Sequence, residues 1–289
     1  MTLCTHEHSA AGEPHRHRLL TDGEYLGRVP AARTGCGYSL SIVTHARSGD
    51  LPSHAHDRAF ICRLLTGGYV SRTRDSEMEF SPGEAAFHPE WFEHSDAILS
   101  PKAAFFGIQL DLERIADGPV TRGMSALSAL PSLDQRHAID RLACAFLASD
   151  DELVIDSLLY ETVAAAFPDR ARATDSPGWV PGVADRLTEE SHSVLSLVEL
   201  AAEAGVHATT LTRHFRNAMG CSIGEFRQRV RAHKALCRLL DGRDAISSIC
   251  LDEGYSDQAH LTREFGKLFG LPPGRFRDIA ARHDIANRH

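Results

Sequence analysis

Apolar positions recur at helical spacing through the last third of the chain, and they do so twice. Leu197, Leu200 and Ala201 form one short stripe closed by Gly205. After a turn of three to four residues, Leu211 and Phe215 lie four apart on a shared face. Thr209, Thr212, Arg213 and Arg216 fall on other faces of that second helix. Gly205 supplies the positive φ that ends a helix, and Ala201 is small where two helices must cross closely. Fifty residues later the frame Leu-Thr-Arg-x-Phe-(x4)-Gly-(x3)-Gly-x-Phe-Arg of Leu211–Arg227 returns at Leu261–Arg277, with eight of 17 positions identical. A short helix, a glycine turn and a second helix make a helix-turn-helix, whose second helix enters the major groove. One copy alone would suit a helical hairpin packed only for stability. Duplication beside a basic face favours DNA.

Between the copies, Ser222 to Leu240 reads as one continuous helix with Phe226, Val230, Leu236, Leu239 and Leu240 pointing inward. At 1.5 Å per residue it spans about 28 Å. That is near the roughly 34 Å between successive major-groove openings on one side of DNA, so a single chain has the reach for two adjacent grooves.

Upstream the pattern changes. From Tyr38 to Asp111 short β-like runs (YSLSIV, FICRLL, GYV, AAF, AFFGIQL) are punctuated by Gly49, Pro52, Gly67-Gly68 and Pro82-Gly83. His54 and His56 alternate around Ala55, so on a strand both imidazoles face one side, the interior of a small barrel. From Leu133 to Phe167 apolar residues return to three-to-four spacing, as in Ile139, Leu142, Ala143 and Phe146, then Leu153, Ile155, Leu158, Leu159 and Val163. The expected fold is α+β in two domains: an N-terminal β-barrel with a helical segment, then an all-α domain with two helix-turn-helix units. The expected divisions are a polar tail at 1–20, an effector-binding barrel at 21–130, a helical packing or dimerisation segment at 131–167, a linker at 168–181 and the DNA-binding domain at 182–289.

Composition sharpens this only in places. With 289 residues, 43% apolar and 24% charged, the chain suits two soluble globular domains. It has no run of 18 apolar residues, and Met1 to His17 is polar and His-rich without a signal-peptide core, which predicts a cytoplasmic protein with no membrane partner. Seven scattered cysteines without a C-x-x-C pair give neither a disulfide framework nor a zinc ribbon. The net charge of −8 is unevenly placed, with 15 Lys and Arg against 14 Asp and Glu from Gly178 onward and 16 against 25 before it. Gly205 to Leu240 holds seven basic residues and one acid, Glu225, a stretch able to face phosphate.

The segments LVELAAEAGV, LTRHFRNAMG and GYSDQAHLTREFGKLFGLPPGRFR, with Arg231 and Ala235 in the connecting helix, resemble the AraC/XylS regulators over roughly Gly182 to Arg277. The resemblance implies DNA contacts from two recognition helices, His207 to Arg216 and Asp257 to Lys267. By position these are Thr209, Thr212, Arg213 and Arg216 in the first, and Gln258, His260, Thr262, Arg263 and Lys267 in the second. Arginine pairs with guanine O6 and N7, and glutamine with adenine N6 and N7, so these residue types suit base reading. Two positions depart from the family: His207 stands where serine usually opens the first recognition helix, and Cys250 where alanine is usual. Arg231 is expected to bond carbonyls inside the domain rather than DNA.

SPGEAAFHPEWFEH resembles the second sequence element of cupins, with Pro82-Gly83 at the turn and His94 at the last histidine. In regulators of this kind such a domain senses a small-molecule effector, and the helical segment favours a homodimer. His54, His56 and His94 suit a divalent metal such as zinc, iron, nickel or copper, and equally an organic effector, with His88 in reserve. The glutamate that metal-holding cupins place four or five residues beyond the second histidine is replaced by Phe60 and Ile61. Cys4, His6, His8, His15 and His17 form a separate set of metal-capable residues in the tail. The expected function is a transcription regulator, not an enzyme, that binds double-stranded promoter DNA and acts on RNA polymerase under control of an effector. No cofactor is required. A metal-responsive regulator and a cupin enzyme built on His54, His56 and His94 are the alternatives.

Overall fold

The computed structural model describes residues 18–115, 126–167, 176–193, 195–283 and 285, so the cysteine and histidines of the tail lie outside the described residues. Among these residues a six-stranded sheet runs in the order Ser128–Ala129 (β12), Ala85–His88 (β9), Ala59–Thr66 (β6), Ala103–Leu110 (β11), Tyr38–His45 (β3) and Arg28–Gly35 (β2). A four-stranded sheet faces it, in the order Gly49–Asp50 (β4), Ser95–Ile98 (β10), Tyr69–Arg72 (β7) and Glu77–Phe80 (β8). Arg18–Leu20 (β1) pairs in parallel with His54–His56 (β5). The strand structure thus begins inside the stretch assigned to the polar tail.

The apolar run of β6 is buried on both faces, as strands in the middle of a covered sheet are. Phe60, Cys62 and Leu64 point toward the four-stranded sheet with Val43, Tyr69, Phe80, Ile98 and Phe105. Ala59, Ile61 and Leu65 point the other way, toward two helices. These are Leu133–Ala148 (α2), opened by a capping box of Ser132 and Gln135, and Glu152–Ala166 (α3), capped by Asp151. A single turn, Leu112–Ile115 (α1), closes the last long strand.

Seven helices follow: Val180–Glu189 (α4), Leu197–Glu203 (α5), Ala208–Met219 (α6), Ile223–Asp241 (α7), Ile246–Asp252 (α8), Gln258–Phe269 (α9) and Pro273–Arg282 (α10) among the described residues. α4 starts at Val180, inside the expected linker, with Pro181 in its first turn, where the missing N–H costs nothing. The connecting helix α7 runs 19 residues from its Ser222 cap to Gly242, whose φ of 75° ends it.

The helical region is divided between two cores. Val180, Leu187, Leu200, Ala201, Leu211, Phe215 and Phe226 pack together around the first unit. Leu239, Ile249, Leu261, Phe265 and Phe276, around the second unit, belong instead to the cluster that holds Ile61, Phe106, Ile139 and Leu159 of the sheet and the helical pair. The second unit therefore shares its core with the N-terminal region. Each large side chain returned to water by pulling it away would cost about 1.5–3 kcal/mol.

Candidate nucleic-acid interface and sensor pocket

Each helix-turn-helix is set by a glycine in the left-handed region. Gly205 has φ 66° between α5 and α6, and Gly254 has φ 73° between α8 and α9. A Cβ at Gly254 would stand 3.1 Å from the His192 backbone, so this turn needs glycine for space as well as for φ. α5 is opened by the reciprocal Ser196–Glu199 capping box. α6 is capped by His207, whose Nδ1 accepts from Thr209 N at 3.4 Å, whereas Asp257 accepts from His260 N at 2.7 Å to cap α9. The departure at His207 leaves a longer cap bond than the one in the second unit.

Leu211 and Phe215 are buried, and Thr209, Thr212, Arg213 and Arg216 are exposed, one row along α6. In α9 Gln258, Thr262, Arg263 and Lys267 are exposed while Leu261 and Phe265 are buried; Thr262 and Arg263 match Thr212 and Arg213, whereas Gln258 and Lys267 lie about 180° apart around the helix. His260 stands apart from these. It is half-buried, edge-on to the Tyr255 ring, with its Nδ1 3.2 Å from Ser256 Oγ. The imidazole is thereby occupied with the turn that precedes its own helix. Thr212 Oγ1 donates back to helix carbonyls of Ala208 and Thr209, and Thr209 Oγ1 lies 2.9 Å from the capping His207. The arginines, Gln258 and Lys267 are left as the longer exposed side chains of the two helices. Arg231 bonds the carbonyls of Ser191 at 2.6 Å and Gly254 at 3.1 Å, tying α7 to the loop after α4 and to the turn of the second unit, inside the domain as expected.

In the N-terminal region β5 and the segment before β10 bring His54, His56 and His94 together, all buried, with one ring nitrogen of each within 4.8 Å of the others. They line a cavity of about 60 Å³ with Tyr25, Phe60, His88, Asp96 and Phe105. That space exceeds what a single water needs. His54 Nδ1 donates to the Pro52 carbonyl at 2.9 Å and His94 Nδ1 to the Phe92 carbonyl at 3.1 Å. This outer bonding fixes the tautomer that leaves Nε2 as a lone pair facing the cavity, the arrangement common to metal-binding histidines. Burial, reinforced by the neighbouring imidazoles, lowers the pKa of His54 and drives that of His56 to about 2, and burial likewise holds His88 well below its usual value. These rings are neutral and able to ligate at neutral pH.

Asp96 was not singled out in the sequence. Its Oδ2 lies 3.8 Å from His54 Nε2 and 3.7 Å from His94 Nε2, while Oδ1 has no hydrogen-bond partner among the described residues. A carboxylate thus stands beside the histidines although Phe60 and Ile61 occupy the glutamate's expected place. The signal was available: Asp96 follows His94 by two, the period of a strand. The buried Nδ1 atoms of His56 and His88 are also without partners among the described residues. This donor set fits a divalent metal.

The tandem units define a helix-turn-helix DNA-binding region. Residues 200–279 match the model of a helix-turn-helix domain, and the chain carries this domain in its AraC-type form. A putative AraC-like transcription regulator of Streptomyces lividans is 29% identical over 108 residues, 35% of this chain and 36% of that protein. The probable transcription factor PqrA of Proteus vulgaris is 34% identical over 79 residues, 27% of this chain and 65% of that protein. The chain thus spans just over a third of the Streptomyces relative's length. A crystal structure of apo ToxT from Vibrio cholerae is 10% identical with a TM-score of 0.37, covering 86% of this chain and 99% of that one. No helix among the described residues is long and apolar enough to cross a membrane.

Proposed function

We propose that this protein is a sequence-specific transcription regulator that binds promoter DNA through α6 and α9 and is controlled by an effector in the histidine-lined pocket. The observation that carries the reading is the pair of exposed helix surfaces, Thr209, Thr212, Arg213 and Arg216 on α6 and Thr262 and Arg263 on α9, on helices that precede and follow the single helix α7. Two such helices joined by one rigid helix would suit base reading and phosphate contact in successive major-groove openings. Selection from random DNA, followed by gel shift, is expected to give a site of two major-groove blocks about 10 base pairs apart, with affinity falling as salt rises. Equal affinity for all sequences, or none, would overturn the reading. RNA polymerase is the downstream partner of such a regulator. A homodimer is supported by the outer side of α3, where Leu153 is 75% exposed beside Val154 and Tyr160.

A divalent metal as the effector is favoured by the same pocket geometry. His54, His56 and His94 would hold the ion and Asp96 would lie alongside it; the ion would supply a charge that draws these groups together. Elemental analysis and titration of the full chain should find about one metal per chain. His56→Ala should weaken binding by more than about 100-fold, the upper end of what loss of an orienting partner costs. Unchanged metal affinity in His54→Ala, His56→Ala and His94→Ala would leave an organic effector for the pocket. Turnover of a substrate by the loaded protein would instead favour a cupin enzyme.

A further inference from the structure

Neither the DNA reading nor the pocket uses a polar cluster that lies between the sheet and α7. Arg63 points from β6 to the helical side and is fully buried; its Nε donates to Asp140 Oδ1 of α2 at 2.8 Å. Asp140 Oδ2 accepts from His233 Nδ1 of α7 at 2.7 Å. One turn further along α7, Cys237 Sγ lies 3.9 Å from His233 Nε2. Three structural elements therefore converge on a Cys–His–Asp–Arg chain. Among the described residues Cys62, Cys144, Cys221 and Cys250 are buried, whereas Cys237 is partly open to solvent.

We propose that Cys237 is a thiol-modification site for a peroxide, and that its oxidation wedges the Pro82-Gly83 turn away from α7 and loosens the seam between sensor and DNA-binding helices. The chemistry is set by the neighbours. An imidazolium oriented by a carboxylate, with a guanidinium behind it, favours the thiolate, which is the nucleophile. Burial opposes both charges. Even so, the Cys237 and Asp140 charges push His233 up to about 9, and the His233 charge and hydrogen bond lower the Cys237 thiol. The thiolate attacks one peroxide oxygen; an S–O bond forms as the O–O bond breaks, and sulfur is oxidised to sulfenic acid. The hydroxide that leaves takes the Nε2 proton of His233 and departs as water.

Space makes the step consequential. A Cβ placed on Gly83 would be 2.9 Å from both Cys237 Sγ and His233 Nε2, so an oxygen added to Sγ on this side would crowd the turn. The turn is pinned to β6 by Gly83 N to Leu64 O at 2.9 Å and Leu64 N to Glu84 O at 3.0 Å. Displacing it pulls on the strand whose other face carries Phe60 and Cys62 into the pocket.

The test treats the full chain with hydrogen peroxide, traps sulfenic acid with dimedone and reads each cysteine by mass. Cys237 should label at least about tenfold faster than Cys144 or Cys250, and His233→Gln should slow it about tenfold without changing exposed Cys36. Amide exchange at Gly83 should rise on oxidation in the wild type and stay unchanged in Cys237→Ser, a comparison that stands even where His233→Gln fails to fold. Labelling of Cys237 no faster than of the buried cysteines, or labelling with no change at Gly83, would overturn the proposal. Any effect on DNA affinity rests on the regulator reading. Absence of DNA binding in both redox states would count against that reading and leave these two measurements intact.

Discussion

Asp140→Ala is expected to destabilise the protein by about 3–5 kcal/mol, because it strands Arg63 as an uncompensated charge in a fully buried site. Burial by itself would raise the Asp140 pKa, but the charges and hydrogen bonds of Arg63 and His233 outweigh it and hold the carboxyl below its usual 3.8. A depressed carboxyl contributes stability that is present above the unfolded-state value and lost as pH falls through the lower folded-state value. The wild type should therefore lose this contribution only below about pH 3.8. Chemical denaturation at pH 7 and at pH 3 reads both effects. A double variant, Arg63→Met with Asp140→Leu, should recover much of the loss, since paired apolar replacement of a buried ion pair is often neutral or better. An Asp140→Ala protein as stable as the wild type would show that the cluster is not a structural tie.

The second large effect concerns DNA. Arg213→Ala and Arg263→Ala should each weaken binding to the selected site by about 1–3 kcal/mol, roughly 5- to 150-fold, and relax sequence preference at the base each contacts. The larger loss is expected for Arg213. Arg263 shares its helix start with Asp257, a carboxylate held ionised by its cap bonds and by the Arg263 charge, whereas Arg213 stands beside the neighbouring His214 ring, 3.3 Å away. Gel shifts with the selected sequence and a scrambled control rank the two. A greater loss from Arg263→Ala would reverse the ranking, and no loss from either would remove both from the interface.

The helix-turn-helix units were legible because the sequence states them twice: Leu211 and Phe215, and Leu261 and Phe265, are all buried where the repeat puts them. The shared face of His54 and His56 was equally legible, since strand alternation alone decides it, and the resemblance to cupins brought in His94. What escaped the sequence lies in long-range pairing. Arg63 and Asp140 are 77 residues apart and His233 is another 93 beyond, so no local period links them. Their separate contexts, an apolar strand and two amphipathic helices, give each charge the look of an exposed position. α4 was hidden for a different reason. Its Pro181 and neighbouring glycines read as linker composition, although proline in a first turn is also a helix start. His260 shares its spacing with outward residues, and only the packing of Tyr255 beside it turns the ring aside.

Because α7 is an unbroken helix between the two reading heads, it fixes their angular phase as well as their distance. Each residue of helix carries about 100° of rotation and 1.5 Å of rise. Losing or gaining one residue between Phe226 and Leu236 would aim α9 at the side of the duplex while α6 still faced a groove. On the regulator reading, the length of this helix would determine which DNA is bound as much as any side chain on α6 or α9.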